Sequence, residues 1–501
     1  MAMSNLQHSE VPPQANPDLS HEAEEDEIPL YKKRDKVYPK RVSGRFRNLK
    51  WFALIALLGI YWVVPWLRWD RGASAPDQAV LIDMDLGRAY FFFIEIWPQE
   101  VYYITGILIM AAVGLFLATS LFGRIWCGYA CPQTVWTDLF MLVERYIQGD
   151  RNARVRLDKS KWTFEKIWKI SATHLAWIAI SLATGGAFVL YFHDAPTVMV
   201  DIFTANASYG TYVTIAFLTG STYLLAGWAR EQVCTYMCPW PRFQSAMLDD
   251  ESMIVTYESW RGETRGPLKR KNLVRGEVPE TGHCIDCHAC VNVCPTGIDI
   301  RDGLQLECIG CGLCIDACNE MMDKVGFPRD LVRFDSVQNS QLRSQGKATR
   351  VRIIRPRTIF YSVLLVIIAS VMMFGLANRS VLELNVLRDR NPLFVALSNG
   401  DVRNGYTLKV LNKEQAEKTY VLSLEGINAT DLQIIGLTPN QDGTYDLDVA
   451  PDRVGSFRVF VAASPKALDG KSTPFEFTVT DKETGNTETY DTVFAGPEND
   501  R

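Results

Sequence analysis

The sequence predicts a multi-domain integral membrane protein. It has an α-helical bundle of five spans, a small cysteine-dense α+β domain, and an all-β sandwich at the C-terminus. Three observations lead there. Five apolar runs approach the ~20 residues that carry a helix across a bilayer. All 12 cysteines fall between Cys127 and Cys318, in tight groups. Residues 395–497 hold no cysteine and no long apolar run, only short alternating segments.

The chain opens on a polar, acidic stretch, MAMSNLQHSEVPPQANPDLSHEAEEDE, which lacks the apolar core of a signal peptide. It turns basic at YKKRDKVYPKRVSGRFRNLK, and residues 1–45 read as a disordered tail. His8 and His21 lie in that tail and suggest nothing. The net charge of −5 gives no support to a nucleic-acid binder.

The apolar runs are 49–67, 101–123, 167–192, 209–228 and 357–377. Tyr and Trp gather at several of their ends, as interfacial residues do. Lys and Arg set the orientation. They crowd the tail, the 124–166 loop (Arg145, Arg151, Arg154, Arg156, Lys159, Lys161) and the approach to the fifth run (Lys347, Arg350, Arg352, Arg355, Arg357). The 192–208 loop has none. The N-terminus is therefore expected in the cytoplasm, and five crossings leave the C-terminal region outside. Residues 81–100 are apolar but broken by Asp83, Asp85, Arg88 and Glu95, and read as an interfacial re-entry rather than a sixth span. The expected domains are the tail 1–45, a four-span membrane domain 46–250, a cytoplasmic cysteine domain 251–355, a fifth helix 356–378 and an outer domain 379–501.

The most specific motif is doubled. Residues 284–295 read CIDCHACVNVCP and residues 308–318 read CIGCGLCIDAC. Both are C-x2-C-x2-C-x3-C, the bacterial ferredoxin run, in which the fourth cysteine serves the other cluster. One [4Fe–4S] cluster is thus expected on Cys284, Cys287, Cys290 and Cys318. The second is expected on Cys308, Cys311, Cys314 and Cys294. This makes 251–355 a bacterial-type dicluster ferredoxin domain. Gly310 and Gly312 let the second loop approach its cluster closely. Asn319 stands where the pattern has proline, with all ligands intact. Structural zinc also uses C-x2-C pairs, but needs no two complete runs of four. His283 and His288 read as solvated loop residues. His174 and His193 are expected on one helix, too far apart along it to ligate one haem between them.

A looser repeat stands at the membrane edge: WCGYACPQ at 126–133 and VCTYMCPW at 233–240. Each follows an apolar run that ends in arginine, Arg124 or Arg230. The proline disfavours helix at Cys131 and Cys238, and Pro132 suits the first turn of a new amphipathic helix. That helix's N-terminus and Arg124 would favour thiolate. The repeat suggests two related units, 101–166 and 209–250, whose thiols Cys127, Cys131, Cys234 and Cys238 converge. A cytoplasmic location argues against a structural disulfide. Thiolates select Cu(I), zinc or an iron–sulfur core, and spacing does not choose among them.

Seven strands are expected at 406–412, 419–426, 431–437, 444–450, 456–463, 474–481 and 487–494. Their spacing fits an immunoglobulin-like sandwich without a catalytic constellation, hence a docking module. No glycine fingerprint for a dinucleotide is present, so hydride transfer from NAD(P)H is not expected.

In combination, WCGYACPQTVW, VCTYMCPWPRFQ, the double ferredoxin run and the sandwich tail resemble the FixG/RdxA/CcoG family of cytochrome oxidase accessory proteins. The cysteine motifs are also similar to those of membrane quinol-dehydrogenase subunits, which lack the sandwich. The resemblance implies a bacterial inner-membrane protein that reduces Cu(II) to Cu(I) for assembly of a cbb3-type oxidase. Copper would be held at Cys127, Cys131, Cys234 and Cys238. Implied partners are copper chaperones, a copper-exporting ATPase, oxidase assembly components, an unidentified cytoplasmic electron donor and the lipid bilayer, with a homodimer left open. The competing reading is a transmembrane electron relay that never binds copper. A non-redox assembly scaffold would leave the eight ferredoxin cysteines unexplained.

Overall fold

Two helices of the bundle carry a domain at each end. The helix Tyr102–Phe122 stops at Gly123, whose positive φ of 61° turns the chain. The helix Pro356–Ala377 begins with proline at its first position, where the missing N–H costs nothing. The two lie antiparallel. At one end Arg355 donates to the Ser120 carbonyl at 2.7 Å, and at the other Arg379 pairs with Glu100 at 2.7 Å. The cysteine domain joins the first end and the sandwich joins the second.

The computed structural model describes residues 36–72, 75–267, 282–414, 416–468 and 470–497. The main body runs from Tyr38 to Arg501. Among the described residues, four helical stretches are long and apolar enough to cross a membrane: Arg45–Trp66, Pro98–Phe122, Phe164–Val189 and Pro356–Ala377. The expected run 209–228 divides differently. It is α-helical over Tyr209–Thr222, then widens into π-helical turns over Tyr223–Ala229. Gly185 lets it pack tightly on the Phe164–Val189 helix, since a Cβ there would lie 2.9 Å from the Ile215 carbonyl oxygen. That helix ends at Val189, so His193 is not on it, while His174 bonds the Tyr223 hydroxyl at 2.8 Å.

Two expectations need correction. Residues 1–35 of the tail lie outside the described residues, but Tyr38–Gly44 is docked chain. The Lys40 N–H donates to the Asn292 carbonyl at 2.7 Å, and Val42 is buried against Cys127 and Cys311. The segment 81–100 is not an interfacial re-entry. It forms an antiparallel meander of β1 (Val80–Asp83), β2 (Arg88–Phe91) and β3 (Ile94–Ile96). Its charges explain the change, because Arg88 bonds Asp452 of the sandwich at 2.6 Å and stacks on Trp97 at 3.6 Å.

The cysteine domain closes with β4 (Ile254–Tyr257) paired antiparallel to β5 (Val332–Asp335). Each ferredoxin loop runs into a helix, Ala289–Val293 or Leu313–Val325.

The sandwich contains all seven expected strands: β8 (Val402–Asn412), β9 (Lys418–Glu425), β10 (Ala429–Ile434), β11 (Tyr445–Val449), β12 (Arg453–Ala463), β13 (Ser472–Asp481) and β14 (Thr487–Ala495). Two more precede them, β6 (Leu382–Arg388) and β7 (Val395–Ala396). One sheet runs β10-β12-β8-β6 with β7 also on β8, and the other runs β11-β9-β13-β14. Alternate residues point inward, as a pleated strand requires. Tyr406, Leu408 and Val410 of β8 meet Phe475, Phe477 and Val479 of β13. Each fully buried apolar side chain contributes about 1.5–3 kcal/mol. Tyr406 meets Phe477 edge-on at 5.2 Å.

At the junction of meander and sandwich, burial and then the Asp452 charge push the Glu95 carboxyl up to about 7. Its ordinary value is 4.5, so the folded state holds an extra proton between those values. The junction should therefore loosen as pH rises from about 5 to 7, and Glu95→Gln should flatten that dependence. Protease release of the sandwich from full-length protein, measured against pH, checks this. A profile identical in the variant would refute it.

Candidate metal centres

The two ferredoxin loops share one backbone path. Asp286 and His288 in the first have φ of 52° and 51°, and Gly310 and Gly312 in the second have 66° and 72°. The left-handed turns wrap each loop around the space its cysteines face. The second loop needs glycine because it is packed inside, where a Cβ at Gly312 would meet Phe46 at 2.5 Å. The first loop lies at the surface and tolerates side chains. There Arg301 holds Asp286 at 2.5 Å and His288 at 2.9 Å, so His288 is braced rather than freely solvated. His283 is also not free loop, since it stacks on Phe327 at 5.0 Å.

Cys284, Cys290 and Cys318 are buried in one apolar cluster with Ile300, Met322 and Leu331, and Cys287 is exposed. Cys294, Cys308, Cys311 and Cys314 line a second space, which Cys290 also reaches. Two cysteines of the first run, Cys290 and Cys294, thus border the space of the second, and crossed ligation would use Cys294. Burial pushes Cys290 and Cys308 up to about 12 and Cys318 to about 11. Such thiols stay neutral until a metal takes their protons. Among the described residues, no three Cys, His, Asp or Glu draw in to the spacing of a single metal ion. A tetrahedral zinc would hold its sulfurs about 3.8 Å apart at 2.3 Å bonds. A four-iron core spaces its sulfurs more widely than that.

The looser repeat proves to be a structural repeat. Cys127 sits in the π-helical turn Trp126–Ala130, and Cys234 in the π-helical turn Val233–Met237. Cys131 and Cys238 are extended, with ψ of 128° and 123°, and each N–H bonds five residues back at 2.8 Å. Such turns mark functional positions in helices. Four residues before Cys127 stands Gly123, and four before Cys234 stands Arg230, both at positive φ. The two arginines at the membrane edge are therefore not equivalent. Arg230 pairs with Glu144 at 3.1 Å, whereas Arg124 bonds only carbonyls.

All four thiols line one cavity of about 310 Å³, with Leu115, Trp126, Val233 and Trp240. This cavity shares Cys308 and Ile309 with the second cluster space. The thiolate expectation is corrected. Burial pushes Cys127 and Cys234 up to about 12, outweighing the Arg124 charge at Cys127. Cys131 is raised as well, although the N–H groups of Thr134 and Gln133 at the helix start oppose it. Sequence reasoning missed Gln244, which is fully buried and lies 3.0 Å from the Cys127 sulfur. It also missed Gln133, which bonds the Leu225 and Arg230 carbonyls and ties the two repeats together. No spacing rule marks either residue.

The sites and fold define a membrane protein of iron–sulfur electron transfer with an immunoglobulin-like tail. Residues 229–337 match the 4Fe-4S dicluster domain family, 104–147 a 4Fe-4S binding domain, and 372–497 the IG-like fold at the C-terminus of FixG. The chain is 50% identical to nitrogen fixation protein FixG of Rhizobium meliloti (strain 1021), covering 86% of this chain and 87% of that one. RdxB of Cereibacter sphaeroides is 47% identical over 93% of this chain and 97% of its own. RdxA of the same organism is 48% identical, with coverages of 88% and 92%. The chain belongs to the FixG/RdxA family.

Crossed ligation has a direct consequence. Cys294→Ser should remove the paramagnetic signal of the site at Cys308, Cys311 and Cys314 and keep that of the site at Cys284, Cys287 and Cys290. Iron content should fall by about half. Loss of the other signal would overturn the assignment.

Proposed function

We propose that the protein reduces Cu(II) to Cu(I) in the four-thiol cavity. One observation carries the reading: the thiols of both repeats line a single cavity whose wall, Cys308, also borders the second iron–sulfur space. Bound clusters supply single electrons, and cupric reduction consumes one. The four cysteines hold the substrate, and soft thiolates favour the cuprous product. Because burial raises Cys127, Cys131 and Cys234, copper entering displaces thiol protons, and the freed sulfurs take up protons again when copper leaves. The Gln244 side chain accepts from Cys127 and orients it. Two thiolates suffice for Cu(I), so the wide spacing is no obstacle. Through the family resemblance, the reading extends to assembly of a cbb3-type oxidase, with copper chaperones and a copper-exporting ATPase as partners.

The topology that serves this reading has five crossings, with the N-terminus and ferredoxin domain in the bacterial cytoplasm and the sandwich in the periplasm. The Lys and Arg bias supports it, as does the attachment of the two domains to opposite ends of one helix pair. Protease added to intact spheroplasts should cut beyond Ala377 and spare residues 230–355. Cutting within the cysteine region would reject the five-crossing arrangement.

A second reading, that the cavity holds a further iron–sulfur centre in a relay without copper, is favoured by the 4Fe-4S match over 104–147. Full-length protein separates the two. Changing Cys127 and Cys131, or Cys234 and Cys238, to Ser should abolish Cu(I) binding and formation while both ferredoxin signals and all iron remain. Loss of iron beyond the two clusters would establish the second reading. Wild-type copper binding and reduction in the variants would dismiss the first.

A further inference from the structure

The one departure from the ferredoxin pattern leads to a groove at the membrane edge. Asn319 stands where the second run has proline. Its side chain clasps Asp330. The Asn319 Nδ2 donates to the Asp330 carboxylate at 3.3 Å, and its Oδ1 accepts from the Asp330 N–H at 2.8 Å. Proline could make neither bond. Asp330 is thereby held at a positive φ of 64°, where it lines a groove of about 650 Å³. Across the groove stands the helix that opens the first span, Arg45–Trp66. Its Arg45, Leu49 and Phe52 line the groove at i, i+4 and i+7, which is one helix face. Arg45 lies at the start of the span, and Leu49 and Phe52 are exposed further along it. Phe46, Ile315 and Phe334 complete the lining, and all three belong to the apolar cluster around Cys284, Cys290 and Cys318.

The groove holds charges of both signs. Arg333 lines it and reaches Asp335 only at 3.7 Å, and that carboxylate already takes Arg343 at 2.6 Å and Asn339 at 2.7 Å. Arg45 forms no ion pair among the described residues. The nearby Asp316 carboxylate is spent on the N–H groups of Phe46 and Arg47. Asp330 forms no ion pair among the described residues either, although Arg261 and Arg329 feel its charge from farther off. Two guanidinium groups and one carboxylate therefore meet at the mouth of a membrane span, with an exposed apolar helix face leading away from them.

We propose that this groove binds one phospholipid whose headgroup ends in a primary ammonium, of the phosphatidylethanolamine class. The phosphate lies between Arg45 and Arg333, whose planar forks suit phosphate oxygens. The ammonium lies against Asp330 and donates to it. An acyl chain runs along Leu49 and Phe52. A headgroup with negative charge alone would set that charge near Asp330 without a cation to offer it. A choline headgroup has no N–H to donate. The bound lipid would cover Phe46, Ile315 and Phe334, and so close the apolar cluster of the first iron–sulfur site to water. The inference rests on Arg45–Trp66 crossing the membrane and is independent of copper.

The test is native mass spectrometry of full-length protein, stripped of lipid in detergent and titrated with phosphatidylethanolamine, phosphatidylglycerol or phosphatidylcholine of identical chains. Wild type should hold one phosphatidylethanolamine about tenfold more tightly than either of the others, as a charge-assisted hydrogen bond allows. Arg45→Gln and Arg333→Gln should each weaken that binding by about tenfold. Asp330→Asn should bring phosphatidylethanolamine down to the level of phosphatidylcholine, and Asn319→Ala, which frees Asp330, should do so in part. Iron content reports whether each variant is folded. Equal binding of the three lipids would overturn the proposal, as would a preference for phosphatidylglycerol. So would a quinone displacing the one tight phosphatidylethanolamine. Should Arg333→Gln lose iron, Arg45→Gln decides, because Arg45 is exposed and makes no ion pair among the described residues. Weakened binding there supports the site, and wild-type binding rejects it.

Discussion

The arrangement depends on one close approach between two backbones. The π-helical turn carrying Cys127 lies on the second ferredoxin loop so tightly that a Cβ at Gly128 would sit 2.8 Å from the Ile309 carbonyl oxygen and 3.1 Å from the Cys311 Cα. Tyr129 fixes the seat by donating its hydroxyl to the Cys311 carbonyl at 2.9 Å. Cys127 and Cys311 then share one apolar cluster with Val42, Val293 and Leu313. Everything the site can do follows from this contact. It brings the thiol cavity to the wall of an iron–sulfur space, with Cys308 and Ile309 common to both.

Buried ion pairs hold that contact in register. Asp138 takes Arg47 at 2.9 Å, and Glu144 takes Arg154 at 2.9 Å and Arg230 at 3.1 Å. Both acids stand on the helix Pro132–Gln148, which Pro132 opens directly after Cys131. The first repeat therefore grips the N-terminal helix and the start of the second repeat through one element. Asp316 of the ferredoxin domain adds a bond to the Arg47 N–H at 2.8 Å. Pairs like these return little net stability against hydrophobic packing, but losing one partner strands a buried charge at a cost of about 3–5 kcal/mol. Their value here is a single geometry for four thiols that arise from distant parts of the chain.

The far end of the bundle uses the same chemistry for a different purpose. Glu100 gathers Arg379 and Lys413, and Arg88 gathers Glu95 and Asp452. These contacts seat the sandwich on the small meander, so the outer domain is braced rather than hung from one helix. The bracing acids come from 81–100, whose charges had made it look like a poor membrane segment. They are there because Glu100 pairs with Lys413 of the sandwich and Glu95 with Arg88, which holds Asp452.

Local chemistry is what the sequence alone determined. Cluster ligands sit two or three residues apart because a short loop must wrap a small core, so their identity and even their crossed pairing could be read from spacing. The seven strands from residue 402 onward were legible because inward and outward side chains alternate. Strand β6 was not, because its alternating LELNVLR follows the last span so closely. The apolar runs were plain, but the division of 209–228 between α- and π-helical turns was not, since packing rather than composition widens a helix. Only the tertiary structure showed that Gly123 and Arg230, each four residues before a cysteine, share a positive φ. Only it showed that burial raises the thiols of Cys127, Cys131 and Cys234. That burial comes from segments as far apart as Leu115 and Ile309, and the ionisation of a group in a dry interior depends on what folds against it, not on its neighbours in sequence.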